Sequence, residues 1–245
     1  MVDTKDEIQP FISHFRDKVQ RLRGYKFHEE DRVFKKNILV SIIDALSCVT
    51  SNPNTGNRQR FTSMIKNFGD WPDHDRISAP HVGYLLDELN SPEYEKAREF
   101  IKSVIERNSD GRLVRLSDDP KIEEFKEVWP VQFHENVLGQ IKLMSFSHLN
   151  LLYAHRNSLV HEIRDPGHGM EFSDDNASPY YHGRICLEGM SNIETRSLEL
   201  VYPLEFYLRI TDNVISNVER YLIISDINPY DSYQFGSSWI GELGA

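Results

Sequence analysis

The sequence predicts a mostly helical domain with a small β excursion. Apolar residues recur at helical spacing through most of the chain, and two late stretches are rich in β-branched and aromatic residues. No internal repeat, low-complexity tract or Pro/Gly/Ser linker divides the chain, so residues 1–245 read as a single domain. With 245 residues, 39% hydrophobic and 27% charged, the chain is long enough to bury one core without disulfides or a structural metal.

Residues 8–22 read as an amphipathic helix, with Phe11, Phe15, Val19 and Leu22 on one stripe and Gly24 as a stop. Residues 32–49 form the first strong core helix, whose broad apolar face includes Val33, Ile38, Leu39, Ile42 and Leu46. The loop Asn52-Pro53-Asn54-Thr55-Gly56 ends it, and a short helix over 59–68 is closed by Gly69. Helices are then predicted over 80–89 and over 93–107, the second with Pro92 at its favourable first turn. A turn at 108–111 leads to an extended segment at 112–116 and a short helix over 121–129. Residues 133–163 carry the longest helical pattern, which Asp165-Pro166-Gly167 terminates. Residues 180–187 and 197–201 have strand-like composition and are expected to pair as a hairpin. A last strong helix follows Pro203, with Phe206, Ile210, Val214, Val218 and Leu222 on one side.

Composition narrows the function classes. A net charge of -10 argues against a protein whose whole surface tracks nucleic acid, although it permits a small cationic cleft. Charge is uneven: the segment from Arg16 to Lys36 is basic, while carboxylates dominate residues 91–135. With mean hydropathy of -0.51 and no run near the ~20 apolar residues of a span, no membrane association is expected. Residues 1–10 are acidic and polar and predict no signal peptide. Two cysteines, Cys48 and Cys186, are too few for a disulfide framework or a four-cysteine zinc site, and point to a reducing cytoplasm.

Several chemistries lack their motifs. The sequence has no phosphate-cradling glycine loop, no paired-cysteine spacing, no His-Glu-x-x-His and no serine elbow. What remains is Arg156-Asn157-Ser158-Leu159-Val160-His161. The Arg-to-His spacing alone is weak, since Arg23 to His28 and Arg76 to His81 share it. Gly24 and Pro80 interrupt those two; only Arg156 to His161 lies in an unbroken helical pattern with an amide directly after the arginine.

On a helical projection Leu149, Tyr153, Val160 and Phe146 fall within about 80° of Arg156 on one side, and Leu152, Leu159 and Ile163 within about 60° on the other. A guanidinium in the middle of an apolar arc needs a carboxylate partner or an anion, because an uncompensated buried charge costs several kcal/mol. Asp44, embedded in Ile42-Ile43-Asp44-Ala45-Leu46, is the expected structural support. Asn157 and His161 are four apart and expected to share a ligand. His161 alone is equally well a structural histidine near a helix end. Tyr153 reads as core, and His155, His168 and His182 as surface or loop residues.

The stretch Leu152-Tyr153-Ala154-His155-Arg156-Asn157-Ser158-Leu159-Val160-His161-Glu162 resembles the motif of the HEPN superfamily of helical domains, in which Arg, a polar residue and a later His close a core helix. The resemblance extends to the early helix over 32–49 and the final helix over 202–224, about half the chain. It implies a HEPN-like up-and-down bundle with an N-terminal extension over about residues 1–30 and insertions at about 70–131 and 167–201.

The family implies metal-independent endoribonucleases without cofactors, of toxin or antiphage-defence type, acting as homodimers with two motifs facing each other. An antitoxin or defence partner protein is a further implied possibility. In one branch a tyrosine two residues after the histidine is modified; here that position is Ile163, so that modification is not expected. Other members are non-catalytic nucleotide-binding or protein-interaction modules, and this remains the alternative reading. The implied chemistry is cleavage of RNA by its own 2'-OH. His161 accepts or donates a proton, Arg156 stabilises the phosphorane charge, and Asn157 orients the histidine or a phosphate oxygen. Arg58 and Arg60 are the expected rim contacts to substrate.

Overall fold

The computed structural model describes residues 4–25, 31–89, 91–107, 113–130, 135–167, 169–172, 177–188 and 193–232. The protein is mainly helical, and it divides into two compact units, residues 1–70 with 208–245, and residues 71–207.

The first unit contains α1 (Thr4–Gly24), α2 (Arg32–Thr50), α3 (Asn57–Phe68) and most of α8 (Leu204–Ser225). Helix α1 buries Ile8, Phe11, Ile12, Phe15, Val19 and Leu22, the stripe its spacing predicts. Its polar side reaches α8, where Arg16 makes a two-pronged pair with Glu219 and Arg23 pairs with Asp212. Arg16 holds the Glu219 carboxyl below its ordinary range, chiefly through that hydrogen bond. After α3 the backbone lies against α8: a Cβ on Gly69 would come within 3.1 Å of Ile210, and Asn213 and Asn217 donate to the carbonyls of Gly69 and Phe68.

The second unit begins with a 3-10 turn at Pro72–Asp75 and α4 (Ala79–Glu88), followed by α5 (Glu95–Arg107). Their buried faces, with Val82, Leu85, Leu86, Ala97, Ile101 and Val104, share one cluster with Phe125, Trp129 and Leu143. Strand β1 (Leu113–Arg115) precedes the short α6 (Ile122–Lys126). Strands β4 (Tyr180–Glu188) and β5 (Ile193–Val201) form the expected hairpin, in antiparallel register from Tyr180 opposite Val201 to Glu188 opposite Ile193. Strand β1 adds to β4, giving the order β1-β4-β5.

One expectation fails here. The predicted helix over 133–163 is interrupted: β2 (Asn136–Leu138) and β3 (Ile141–Lys142) form a small hairpin, Leu143–Phe146 is a 3-10 turn, and α7 starts only at His148 and runs to Asn157. Phe133 lies outside the described residues. Gly139 adopts φ +58, a left-handed turn that a helix cannot contain, and Ser147 caps α7 by accepting from the Asn150 N–H. Val137, Leu143, Met144 and Phe146 match helical spacing but pack on the α4/α5 core from the hairpin and turn, while Leu138 and Ile141 are exposed.

Candidate functional site

Helix α7 is anchored at its start. The backbone N–H of His148 donates to the Arg76 carbonyl at 2.9 Å, and Asn150 Nδ2 donates to the Met144 carbonyl at 2.7 Å. The helix buries His148, Leu152 and His155, and the buried line continues to Leu159 in the turn that follows. That line is centred about 70° round from Arg156. The projection centred the arc on Arg156 because two members of the true face are histidines, which a hydrophobic pattern does not register.

Arg156 is half-buried; it donates to Asn157 Oδ1 at 3.1 Å and its guanidinium stands 5.9 Å from the Tyr153 ring centroid. Thus Asn157 is joined to the arginine rather than to His161. His161 is exposed and makes no hydrogen bond or ion pair among the described residues. Asp44, Arg58 and Arg60 belong to the first unit. Arg58 is exposed, while the half-buried Arg60 is held by Asn57 and lies 3.7 Å from the Cys48 thiol. Asp44 is half-buried on α2, its carbonyl accepting from Ser47 Oγ at 2.6 Å.

The helix does not end regularly. Residues Ser158–Glu162 form a π turn, closed by the Ile163 N–H donating to the Ser158 carbonyl, and Ile163 is left-handed at φ 52 and ψ 45. Val160 and His161 lie within this π turn, a feature frequent at functional sites. A β-branched residue in this region is strained, and Ile163 gains little in return, being 55% exposed. Ile163→Gly is therefore expected to raise stability by about 1 kcal/mol, because glycine removes the left-handed penalty while losing part of that gain to chain entropy. A chemical-denaturation midpoint checks this, and a lower midpoint would mean the Ile163 side chain contributes contacts that outweigh the strain.

His155 corrects the sequence reading. It is buried, not a surface residue, with Nδ1 2.8 Å from the Tyr207 hydroxyl, Nε2 3.2 Å from Asp165 Oδ1 and its ring edge-on to Tyr202. His182 is half-buried on β4 and its Nδ1 accepts from the Met170 N–H; His168 lies outside the described residues.

Sequence reasoning missed a second polar group altogether. Asp119, 4% exposed, accepts from the Ala79 N–H at 3.0 Å, from His148 Nε2 at 2.7 Å and from the Tyr181 hydroxyl at 2.5 Å. The Tyr181 hydroxyl is also 2.7 Å from Ser78 Oγ, and Ser78 Oγ is 2.7 Å from His81 Nδ1. Burial, with the Asp119 charge beside it, pushes the Tyr181 hydroxyl pKa well up, so it stays protonated as a donor. The only sequence signal was Ser78 before Pro80, a helix cap; nothing in the spacing linked Asp119 to His148 or Tyr181. Among the described residues no group of three or more His, Cys, Asp or Glu is placed to hold a metal ion. Among the described residues no helix is long and apolar enough to cross a membrane.

Comparison with family models, curated proteins and solved structures finds no match for this chain.

Proposed function

We propose that the protein is a HEPN-like, metal-independent endoribonuclease of toxin or defence type, acting as a homodimer. The observation that carries the proposal is the polar end of α7, where a half-buried Arg156 tied to Asn157 is followed by an exposed His161 on a π turn. An arginine braced by an amide and an aromatic ring is preorganised to take a phosphate oxygen. An exposed imidazole one turn later is free to reach the sugar hydroxyl or the leaving oxygen.

In this reading the ribose 2'-OH attacks the adjacent phosphorus while a histidine accepts its proton. A new O2'–P bond forms and the P–O5' bond breaks, leaving a cyclic phosphate and a 5'-hydroxyl that takes up a proton. Arg156 stabilises the extra charge on the phosphorane. Two His161 residues from paired motif helices divide the base and acid roles, which is the reason for a dimer. A protein partner such as an antitoxin would act on the same assembly.

Purified full chain incubated with total RNA in EDTA tests this reading, with sedimentation at micromolar concentration alongside it. The expected result is cleavage that EDTA leaves intact, from a species of twice the chain mass. Cleavage that EDTA abolishes, or by a monomer, would refute the metal-free composite site. Its complete lack across RNA substrates would favour a non-catalytic binding module.

A further inference from the structure

The Asp119 network ends at a cleft of about 250 Å³ within the second unit, lined among others by His81, Leu151, His155, Ser158, Glu199 and Tyr202. On α7 the cleft-lining residues Leu151, Ala154 and His155 lie on the side away from Arg156 in projection, and Ser158 of the π turn joins them. Arg156, Asn157 and His161 are not among the residues that line it.

The network fixes what His81 offers the cleft. Asp119 is the strongest acceptor present, so the single Tyr181 hydroxyl proton goes to it over 2.5 Å. The Tyr181 oxygen then accepts from Ser78. Having given its proton away, Ser78 Oγ accepts from His81 Nδ1–H and, at 3.5 Å, from the His81 backbone N–H. That uses one donor and two lone pairs of Ser78. The neutral His81 tautomer consequently carries its proton on Nδ1 and leaves Nε2 as a bare acceptor.

Burial lowers the His81 pKa, as does the neighbouring His148, against the raising influence of Asp119 and Glu199; its neutral form therefore prevails at pH 7. Glu199 supplies the cleft's charge. Its carboxylate makes no hydrogen bond or ion pair among the described residues, and it lies under Gly167, where a Cβ would stand 2.8 Å from Oε2. Gly167 has φ +81, a backbone conformation that requires glycine there.

An unpaired, half-buried carboxylate and a bare imidazole nitrogen face one small space, and both are acceptors. The space needs donors and a positive charge. We propose that the cleft is a binding site for a small organic cation bearing N–H donors, a primary amine or guanidine, with Glu199 as counter-charge and His81 Nε2 as second acceptor. A cleft of about 250 Å³ suits a small cation such as an alkyl diamine or agmatine. His155 is already engaged by Tyr207 and Asp165, so the remaining two acceptors fall short of a usual metal ligand set.

Calorimetric titration of the full chain with agmatine and with putrescine at pH 7.5 tests the site, with inorganic phosphate as the opposite-charge probe. The expected result is one-to-one amine binding that Glu199→Gln weakens tenfold or more, and no phosphate binding. Binding should also weaken at pH 5, where protonated His81 puts a positive charge beside Glu199; His148, His155, Asp119 and Glu199 are the titratable groups around it. This wild-type pH series reads the site even if E199Q fails to fold. His161→Ala should bind amine as the wild type does, which separates this site from the nuclease reading. No amine binding up to about 10 mM, binding unchanged in folded E199Q, or preferential binding of phosphate would overturn the proposal.

Discussion

Replacing His161 with alanine is expected to lower RNA cleavage by about 10²–10⁴-fold, the usual contribution of a positioned general acid or base. His161 is exposed and makes no hydrogen bond among the described residues, so the variant should keep the wild-type melting temperature. Arg156→Ala should lose about 10²–10³-fold, the range for removing a donor aimed at developing charge. Arg156→Lys should recover only part of this, since an ammonium cannot reproduce the planar fork that donates to Asn157. Single-turnover cleavage of a fixed RNA measures all three. A His161→Ala rate within threefold of wild type would remove that residue from the mechanism.

The largest stability effect is expected at Asp119. Asp119→Ala leaves the Ala79 N–H, His148 Nε2 and the Tyr181 hydroxyl without their acceptor in a region where Asp119 and His148 are at most 4% exposed. Among the described residues His148 Nδ1 has no hydrogen-bond partner, so the variant removes the ring's one partner, at Nε2. Each buried orphan costs about 1–3 kcal/mol, and removing one side of a buried charged group costs about 3–5 kcal/mol in total. Urea unfolding should report a loss in that range, with Asp119→Asn intermediate because it retains an acceptor oxygen. A loss below about 1 kcal/mol would mean that water or rearranged side chains replace the carboxylate.

The helices were legible wherever one apolar stripe decided them. Helix α1 buries the residues its spacing marks, and the β4–β5 hairpin follows its composition. The pattern misled over residues 133–147, where Gly139 and the cap Ser147 were local signals that outweighed periodicity. The candidate site was legible as a motif at the end of α7, but its helical face was not. Polar residues buried through long-range pairing, such as His148 with Asp119 or His155 with Tyr207, leave no trace in local hydropathy. The π turn and left-handed Ile163 were equally hidden, since a β-branched residue is the last one that propensity would place there.

The chemistry of the cut ends tests the central claim most directly. An RNA oligonucleotide with a single 2'-deoxy substitution at its mapped cleavage site, incubated with the full chain in EDTA, should remain intact at that site. Its all-ribose counterpart should yield a 2',3'-cyclic phosphate and a 5'-hydroxyl. Cleavage of the deoxy-substituted site, or products ending in a 3'-hydroxyl and a 5'-phosphate, would contradict attack by the neighbouring 2'-OH and with it the roles given to Arg156 and His161.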